Sequence, residues 1–147
     1  MNEKVVHIIQ ATEKHLKDIA EIFRVESAKI PYLQRWTSRT AFEKIKNSLK
    51  KDMVHVAIIE GKVVGFIVSK LDHKKKEAYV DELWIKKEHQ GKGIGRKIMD
   101  FAEKEYEKLG MELIMLMANE KARAVKFYKK LNFKEKHRFI FFTKKIK

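Results

Sequence analysis

A glycine-rich segment that follows an apolar, β-prone stretch has the residue types and spacing best suited to chemistry in this chain. Residues 90–95 read Gln-Gly-Lys-Gly-Ile-Gly, and they come soon after the β-prone residues 79–85. Glycines at a strand-to-helix turn let backbone N–H groups point outward, where the partial positive charge of the helix N-terminus assists them. The segment therefore predicts a phosphate-binding site.

Two common phosphate-binding motifs do not fit this segment. A Walker A loop needs G-x-x-x-x-G-K-[ST], and the chain contains no such run. A dinucleotide fingerprint needs G-x-G-x-x-G, but counting from Gly91 or Gly93 places Arg96 or Ile98 at the last glycine. The loop also follows a strand that comes after a meander, rather than the first strand of a βαβ unit. Both motifs are excluded.

The segment instead matches Q/R-x-x-G-x-G/A, with Gln90, Gly93 and Gly95 on the defined positions. A second segment, Ala124 with residues 127–133, is similar to A-x-x-[FL]-Y-x-x-x-G-F. These two motifs, the spacing between them and the order of elements resemble the GNAT superfamily of N-acetyltransferases. The resemblance covers most of the chain and is weakest from residue 1 to about residue 52.

The resemblance implies that the loop binds the pyrophosphate of coenzyme A and that the co-substrate is acetyl-CoA. Backbone N–H groups of residues 90–96 would hold the pyrophosphate, and Lys97 adds positive charge nearby. The main chain of residues 83–85 would bond to the pantetheine arm. The residues expected to bind the co-substrate are Leu83, Trp84, Ile85, Gln90, Gly91, Lys92, Gly93, Ile94, Gly95, Arg96, Asn119, Lys121, Ala124 and Phe127.

Two positions depart from the pattern of the family. Lys121 stands where many members have an asparagine seven residues before the tyrosine, and the nearest asparagine is Asn119. The usual amide contact to the pantetheine is therefore in doubt, although Lys121 could reach a phosphate. Asn132 replaces the glycine before Phe133, and asparagine tolerates the left-handed conformation that this turn requires.

The resemblance also assigns catalytic roles. Tyr128 matches the general acid of the family, a phenol that protonates the departing sulfur. Asp81 and Glu82 are candidate bases for the acceptor amine, whose pKa is about 10.4 when free. Adjacent strand residues point to opposite faces, so only one is expected to face the cleft, and the longer Glu82 is favoured. The N–H of Ile85 is expected to polarise the thioester carbonyl.

Composition limits the class of protein. The chain has 147 residues with 44% hydrophobic and 10% aromatic content, which suits one folded domain over residues 1–147. It has no cysteine, no 18-residue apolar run and no signal-like N-terminus, which fits a cytoplasmic protein. The six histidines show no metal-ligand spacing, so no metal is expected. The net charge of +14 is spread along the chain and indicates a solvated surface more than nucleic-acid binding.

The elements alternate as β α α β β β α β α β. Strands are predicted over 5–9, 53–59, 63–71, 77–85 and 112–118, the last of them central because it is so apolar, with one or two closing strands over 133–146. Gly65 predicts a bulge or close backbone approach inside its strand. The predicted fold is α/β (α+β), a GNAT-type mixed sheet of six to seven strands with about four helices, splayed between the fourth and fifth strands.

The helices have predictable ends and faces. Thr12 is expected to cap a helix over 13–27, whose apolar stripe is Leu16, Ile19, Ala20 and Phe23. A second helix should begin at Thr40 with Glu43 completing a capping box, and its inner stripe is Phe42, Ile45 and Leu49. Gly110 should end the third helix, and the fourth is predicted over 121–131. The aromatic connection between the first two helices either packs them or lines a substrate site.

The sequence therefore predicts an acetyl-CoA-dependent N-acetyltransferase acting on a primary amine, either a protein N-terminus or lysine or a small amine. The acidic pair favours a cationic amine, whereas the net charge of +14 opposes a polycation. The acceptor is the expected partner, membrane and nucleic acid are not favoured, and a homodimer stays open. The rival interpretation is a non-catalytic basic domain that binds nucleic acid or senses acyl-CoA.

Overall fold

The computed structural model describes residues 4–147, so the first three residues of the predicted domain and N-terminal segment lie outside it. Its centre is a five-stranded sheet with the strand order β1-β2-β3-β4-β5. The strands are β1 (His7–Gln10), β2 (Met53–Ile59), β3 (Lys62–Asp72), β4 (Glu77–Ile85) and β5 (Leu113–Leu116). The first four pair antiparallel and β4 pairs with β5 in parallel. The predicted mixed α/β sheet is confirmed.

Four α-helices in the described part of the chain connect and cover these strands, as predicted. They are α1 (Leu16–Ser27), α2 (Ser38–Lys51), α3 (Ile94–Lys108) and α4 (Ala124–Lys130). Short 3-10 turns precede α1 at Glu13–His15 and α3 at Lys87–His89. No helix among residues 4–147 is long and apolar enough to cross a membrane.

The two faces of the sheet bury separate apolar clusters. Strand residues alternate between the faces, so that Val54 and Val56 face α1 and α2, whereas Ala57 and Ile67 face α3. The stripe predicted for α1 is buried in the first cluster. The second cluster packs α3 through Ile94, Ile98, Met99, Ala102 and Tyr106. Each face is therefore held by its own helices.

The prediction for the start of α2 is wrong by two residues. The helix begins at Ser38 with Thr37 as its N-cap, and the N–H of Thr40 donates to Thr37 Oγ1 at 3.0 Å. In return the N–H of Thr37 donates to Thr40 Oγ1 at 2.9 Å, so threonine does here what glutamate does in the usual capping box. Glu43 pairs with Arg39 instead, at 3.2 Å.

The inner stripe of α2 also differs from the prediction. Phe42, predicted to be buried, is 39% exposed, whereas Ala41 is fully buried. Ile45 is buried as predicted. Because one residue rotates the helix face by about 100°, the small Ala41 rather than Phe42 approaches the sheet.

The β2–β3 hairpin turns where the sequence predicts. Glu60 and Gly61 both have positive φ, 49° and 78°, as a two-residue turn of the primed type requires. Within β3, Ala57 of β2 pairs with Gly65 and Ile58 pairs with Val63, which leaves a bulge beside the glycine. A Cβ on Gly65 would lie 3.1 Å from the Trp84 carbonyl oxygen, so the predicted close approach is confirmed.

Strand β5 is shorter than predicted and lies at the sheet edge rather than in the centre. It pairs only with the first half of β4, from Glu77 with Leu113 to Val80 with Leu116. Leu113 is 48% exposed. An apolar run indicates a strand but does not say how many neighbours it has, and that information is tertiary.

The closing strands predicted over 133–146 are absent from the part of the chain that the structure describes, so the sheet has five strands rather than six or seven. The segment keeps its apolar side chains exposed, with Phe139, Ile140, Phe141 and Phe142 each at least 76% accessible. Its sequence is suited to a strand, but a strand needs a partner edge, and the segment lies against none. This is why β5 remains at the edge.

Helix α4 begins later than predicted because a polar turn precedes it. The N–H of Lys121 donates to Asn119 Oδ1 at 2.9 Å, which holds residues 119–122 in a turn. After the C-cap Leu131, Asn132 takes the expected left-handed conformation with a φ of 68°, and the N–H of Phe133 donates back to the Tyr128 carbonyl at 3.1 Å. This is the hydrogen bond of a Schellman turn, so asparagine replaces glycine without loss of the cap.

Candidate active site

The second half of β4 is the organising element of the candidate site. Its residues 82–85 continue to pair with β3, for example Leu83 with Ile67, but β5 ends opposite Val80. The two parallel strands therefore separate, and the predicted splay between the fourth and fifth strands is confirmed. The backbone N–H and C=O groups on this side of β4 face a gap in which an extended ligand can hydrogen-bond as a strand would.

A bulge in β4 places both members of the acidic pair on one side. Val68 pairs with Glu82 and Ser69 pairs with Val80, which leaves Asp81 without an opposite residue. The Lys44 ammonium contacts both carboxylates, at 3.4 Å from Asp81 Oδ2 and 3.5 Å from Glu82 Oε2. The prediction that only one carboxylate faces the cleft is therefore wrong, because the extra residue breaks the two-residue alternation.

Glu82 has the more enclosed carboxylate of the two. Its side chain is 13% exposed, against 19% for Asp81. Burial raises the pKa of the Glu82 carboxyl, and the hydrogen bond from Trp84 Nε1 at 2.8 Å and the nearby Lys44 ammonium work against that rise. A carboxylate with a raised pKa, beside an open strand edge, is suited to accept a proton.

Aromatic side chains from three elements form a wall beside the acidic pair. Phe23 of α1 lies 5.1 Å from Trp36 and 6.4 Å from Trp84, measured between ring centroids. Tyr32, in the connection between α1 and α2, meets Trp84 edge to face at 4.8 Å. Burial raises the pKa of the Tyr32 hydroxyl. The aromatic connection thus does both things that its composition allows, since it packs α1 and it borders the site.

Tyr128 lies on α4 and joins the site from the far side of the gap. Its ring packs between Phe127 at 5.1 Å and Phe133 at 5.6 Å. Burial raises the pKa of its hydroxyl strongly, and the nearby Tyr32 and Glu82 raise it further. The phenol is therefore protonated at neutral pH, which is the state a general acid needs.

The glycine loop presents backbone rather than side chains. Gly91 and Gly93 have φ values of 74° and 82°, and a Cβ on either would meet no atom within 4 Å. Gly93 is the N-cap residue of α3, and Lys92 and Arg96 beside it are exposed, whereas Ile94 is buried and anchors the helix start. The loop is therefore an open, positively charged helix N-terminus, which suits the pyrophosphate of coenzyme A.

Gly95 explains why the two motifs occur together. It is helical, and a Cβ there would lie 3.3 Å from Cζ of Phe127. The ring of Phe127 thus lies directly on the first turn of α3. Phe127 supports the loop from behind, and the adjacent Tyr128 is placed relative to the loop by the same contact.

The side chain of Gln90 does not point toward the open end of α3. Its Nε2 donates to the Ile85 carbonyl and to Glu26 Oε1, both at 2.8 Å. Glu26 is only 6% exposed and also pairs with Lys29 at 2.7 Å. Gln90 therefore joins the loop to the end of β4 and to the end of α1. The glutamine of the motif thus has a structural role here.

The predicted co-substrate-binding residues near the start of α4 have fewer contacts with the rest of the site. Asn119 uses its side-chain oxygen in the turn before the helix, and Lys121 is exposed. Ala124 is half-buried at the first position of α4. The structure thus groups the residues of β4 and the glycine loop with Phe127 and Tyr128, whereas Asn119 and Lys121 lie at the turn beside them.

Two residues that enter this site were not identified from the sequence. Lys44 bridges the acidic pair, and Glu26 receives the Gln90 amide. Both belong to the first 52 residues, where the family motifs are weakest. Lys44 is one of 34 lysines and arginines, so no local pattern separates it from the surface lysines.

Known proteins share this architecture. An uncharacterised N-acetyltransferase of Methanocaldococcus jannaschii is 30% identical over 93 residues, which is 58% of this chain and 41% of that protein. The match thus spans about two fifths of that relative's length. An aminoglycoside N-acetyltransferase in complex with CoA superposes with a TM-score of 0.79 at 14% identity, covering 97% of each chain.

A second solved structure, the ribosomal-protein-alanine N-acetyltransferase of Brucella melitensis biovar Abortus 2308, superposes with a TM-score of 0.76 at 18% identity. It covers 95% of this chain and 100% of its own. At these identities the superpositions establish the fold. The model of the acetyltransferase (GNAT) family matches residues 16–133, and the chain therefore belongs to that family.

Proposed function

We propose that this protein transfers the acetyl group of acetyl-CoA to a primary amine. The observation that carries the proposal is the presence of two partly buried, oppositely suited groups beside the open half of β4. Glu82 can accept a proton and Tyr128 can give one, and the charge of Glu82 raises the pKa of Tyr128. Family membership and the CoA complex of a structural neighbour support the choice of donor.

The glycine loop and the open strand edge would hold the donor. Residues 91–95 offer backbone N–H groups at the start of α3, and Lys92 and Arg96 add charge for the phosphates. The backbone of Leu83 to Ile85 would hydrogen-bond to the pantetheine arm in the gap beside β4. Bound acetyl-CoA supplies an activated acetyl thioester, and the N–H of Ile85 would polarise its carbonyl.

The side chains then carry the two proton movements of the transfer. Glu82 takes a proton from the acceptor ammonium and leaves a neutral amine, directly or through a water. The amine forms the new C–N bond as the C–S bond breaks, and Tyr128 gives its proton to the departing sulfur. Free coenzyme A thiol and an acetylated amine result. The second proton of the amine nitrogen returns to the Tyr128 phenolate, and Glu82 gives its proton to solvent, so both side chains are restored and one proton is released overall.

The acceptor is a primary amine of a protein or a small molecule. The names of the structural neighbours include both kinds, an aminoglycoside acetyltransferase and a ribosomal-protein-alanine acetyltransferase. In this chain the Lys44 ammonium already forms ion pairs with both carboxylates of the acidic pair. Less negative charge therefore remains to attract a cationic acceptor. A polycation is therefore the less favoured acceptor.

An acceptor screen with acetyl-CoA, followed by release of free thiol, tests this proposal directly. Peptides with free N-termini, lysine peptides and small amines form the panel, and turnover with at least one amine is expected. Isothermal titration with CoA and with RNA accompanies it. CoA binding without turnover of any amine would favour an acyl-CoA sensor, and RNA binding without CoA binding would favour a nucleic-acid-binding domain.

A further inference from the structure

Lys44 is placed in the candidate site by packing rather than by any motif. It lies on the inner side of α2, between the buried residues Ala41 and Ile45. Its ammonium lies 5.7 Å above the centroid of the Phe23 ring and contacts both carboxylates of the acidic pair. The side chain thus crosses from α2 over α1 to reach β4.

The enclosure of Lys44 separates it from the other paired lysines. Its side chain is 24% exposed. The other ion-paired lysines among residues 4–147 have side chains between 42% and 72% exposed: Lys4, Lys29, Lys70, Lys76 and Lys108. Exposed ion pairs contribute little to folding stability. A partly buried ammonium between two carboxylates interacts with them more strongly, because solvent screens the charges less.

The charges around Glu82 show what the ammonium does. Burial favours the neutral carboxyl, and the Asp81 carboxylate next to it acts in the same direction. Opposing them are the Lys44 ammonium from α2 and the Trp84 N–H from β4. Tyr79 of β4 feels the charge of both acids, and Tyr128 of α4 feels that of Glu82.

The Asp81 carboxylate raises the pKa of the more enclosed Glu82, because a neighbouring negative charge disfavours ionisation unless a counter-ion offsets it. Neither Tyr79 nor Tyr128 supplies positive charge. Among the groups of residues 4–147 that act on Glu82, Lys44 is the one cation. Its removal would leave Trp84 alone to stabilise the Glu82 carboxylate.

We propose that Lys44 is a positioning residue for acetyl transfer: its ammonium holds Asp81 and Glu82 on one side of β4 and keeps Glu82 ionised as proton acceptor. The inference rests on the proposed function. Lys44 does not itself contact the reacting atoms. It acts through Glu82, so the effect of its removal depends on pH.

The test compares Lys44→Met, Lys44→Arg and the control Lys46→Met on the exposed side of α2. Methionine keeps an apolar stem and removes the charge, so the helix packing is retained. At pH values on the acidic limb of the wild-type profile, kcat/KM of Lys44→Met is expected to fall about tenfold. The acidic limb of its pH profile should move up by about one pH unit, so activity recovers in alkaline buffer. Lys44→Arg and Lys46→Met should keep the wild-type profile.

A titration of the Glu82 carboxyl by carbon-13 NMR gives a second readout that needs no turnover. The signal is assigned by its loss in Glu82→Gln, and its pKa should be higher in Lys44→Met than in wild type. An unmoved pKa, or a uniform loss of activity at every pH, would overturn the inference. If the wild type acetylates no amine, the proposed function fails, and the titration still decides whether Lys44 keeps Glu82 ionised.

Discussion

The two faces of the sheet contribute to the candidate site in different ways. On the α3 face the functional feature is backbone, namely glycines at positive φ that expose the N-terminus of a helix. On the α1 and α2 face it is a set of side chains, with Lys44 and the acidic pair beside an aromatic wall. Backbone geometry limits which residue types fit at single positions, so it can be recognised in the sequence as a motif. Contacts between remote side chains leave none.

The difference predicts that the two faces can be damaged separately. Changes on the α3 face should weaken CoA binding, and changes on the α1 and α2 face should slow the proton transfers at unchanged CoA affinity. Tyr128 belongs to the junction, because Phe127 next to it packs on Gly95 whereas its own hydroxyl feels Glu82. The junction is therefore where the largest effect on turnover is expected.

Tyr128→Phe removes the proposed proton donor but keeps the ring between Phe127 and Phe133. We expect kcat to fall by about 10² or more, since general acid catalysis contributes a factor of that order. The dissociation constant for CoA, measured by isothermal titration, should stay within about twofold. Unchanged turnover would remove the acid role from Tyr128.

Glu82→Gln tests the other face at the same chemical step. The carboxylate is the active form of a base, so wild-type activity should rise with pH through the raised pKa of Glu82. In the amide variant kcat/KM should fall about 10²-fold, and the acidic limb should be lost from the pH profile. Asp81→Asn is the matched variant, and a larger loss there would assign the base to Asp81.

Gly93→Ala and Gly110→Ala form a matched pair for the α3 face. Their φ values are 82° and 81°, and a Cβ on either meets no atom within 4 Å. Each substitution should therefore cost a similar 1–2 kcal/mol of folding free energy, roughly, from the left-handed strain alone. Only Gly93→Ala should weaken CoA binding, by about fivefold to tenfold. Equal CoA affinity in both variants would show that the loop does not bind the pyrophosphate.

The smallest effect concerns stability, and it again contrasts the two faces. His55 is 6% exposed on the α3 face, packs on Phe101 at 5.0 Å, and its Nδ1 has no hydrogen-bond partner among residues 4–147. Burial lowers the pKa of the His55 imidazole, because the folded protein disfavours its charged form. The protein is therefore more stable above about pH 6.5, the pKa of histidine in the unfolded chain, and loses stability as the pH falls below that value.

His15 provides the comparison on the other face. It is also buried with a lowered pKa, but its Nδ1 accepts the N–H of Thr12 at 3.0 Å.

His55→Leu should reduce the drop in Tm between pH 7.5 and pH 5.5 by a few degrees, whereas the exposed His73→Leu should not. Thermal melts at the two pH values measure this. An equal drop in wild type and His55→Leu would contradict it.

Local patterns were enough to predict the elements from β2 to α3 closely. The strand Glu77–Ile85 has the bounds that its apolar, β-prone residues predict, and Gly61, Gly110 and Asn132 end their turns and helices with positive φ as expected. The start of α2 differs from the prediction because Thr40 takes the position in the capping box that glutamate usually occupies. The closing strands differ from the prediction because residues 133–146 have strand propensity but do not pair with the open edge of β5.

The sequence by itself determined the family, the glycine loop and the residue types that a donor site needs, because each depends on contacts within a short stretch of chain. Only the tertiary structure decided how those residues act together. The bulge at Asp81 turns both carboxylates to one side, Gln90 ties the loop to Glu26, and Lys44 reaches the pair from 37 residues away. Such contacts join elements that are remote in sequence, and no spacing along the chain records them.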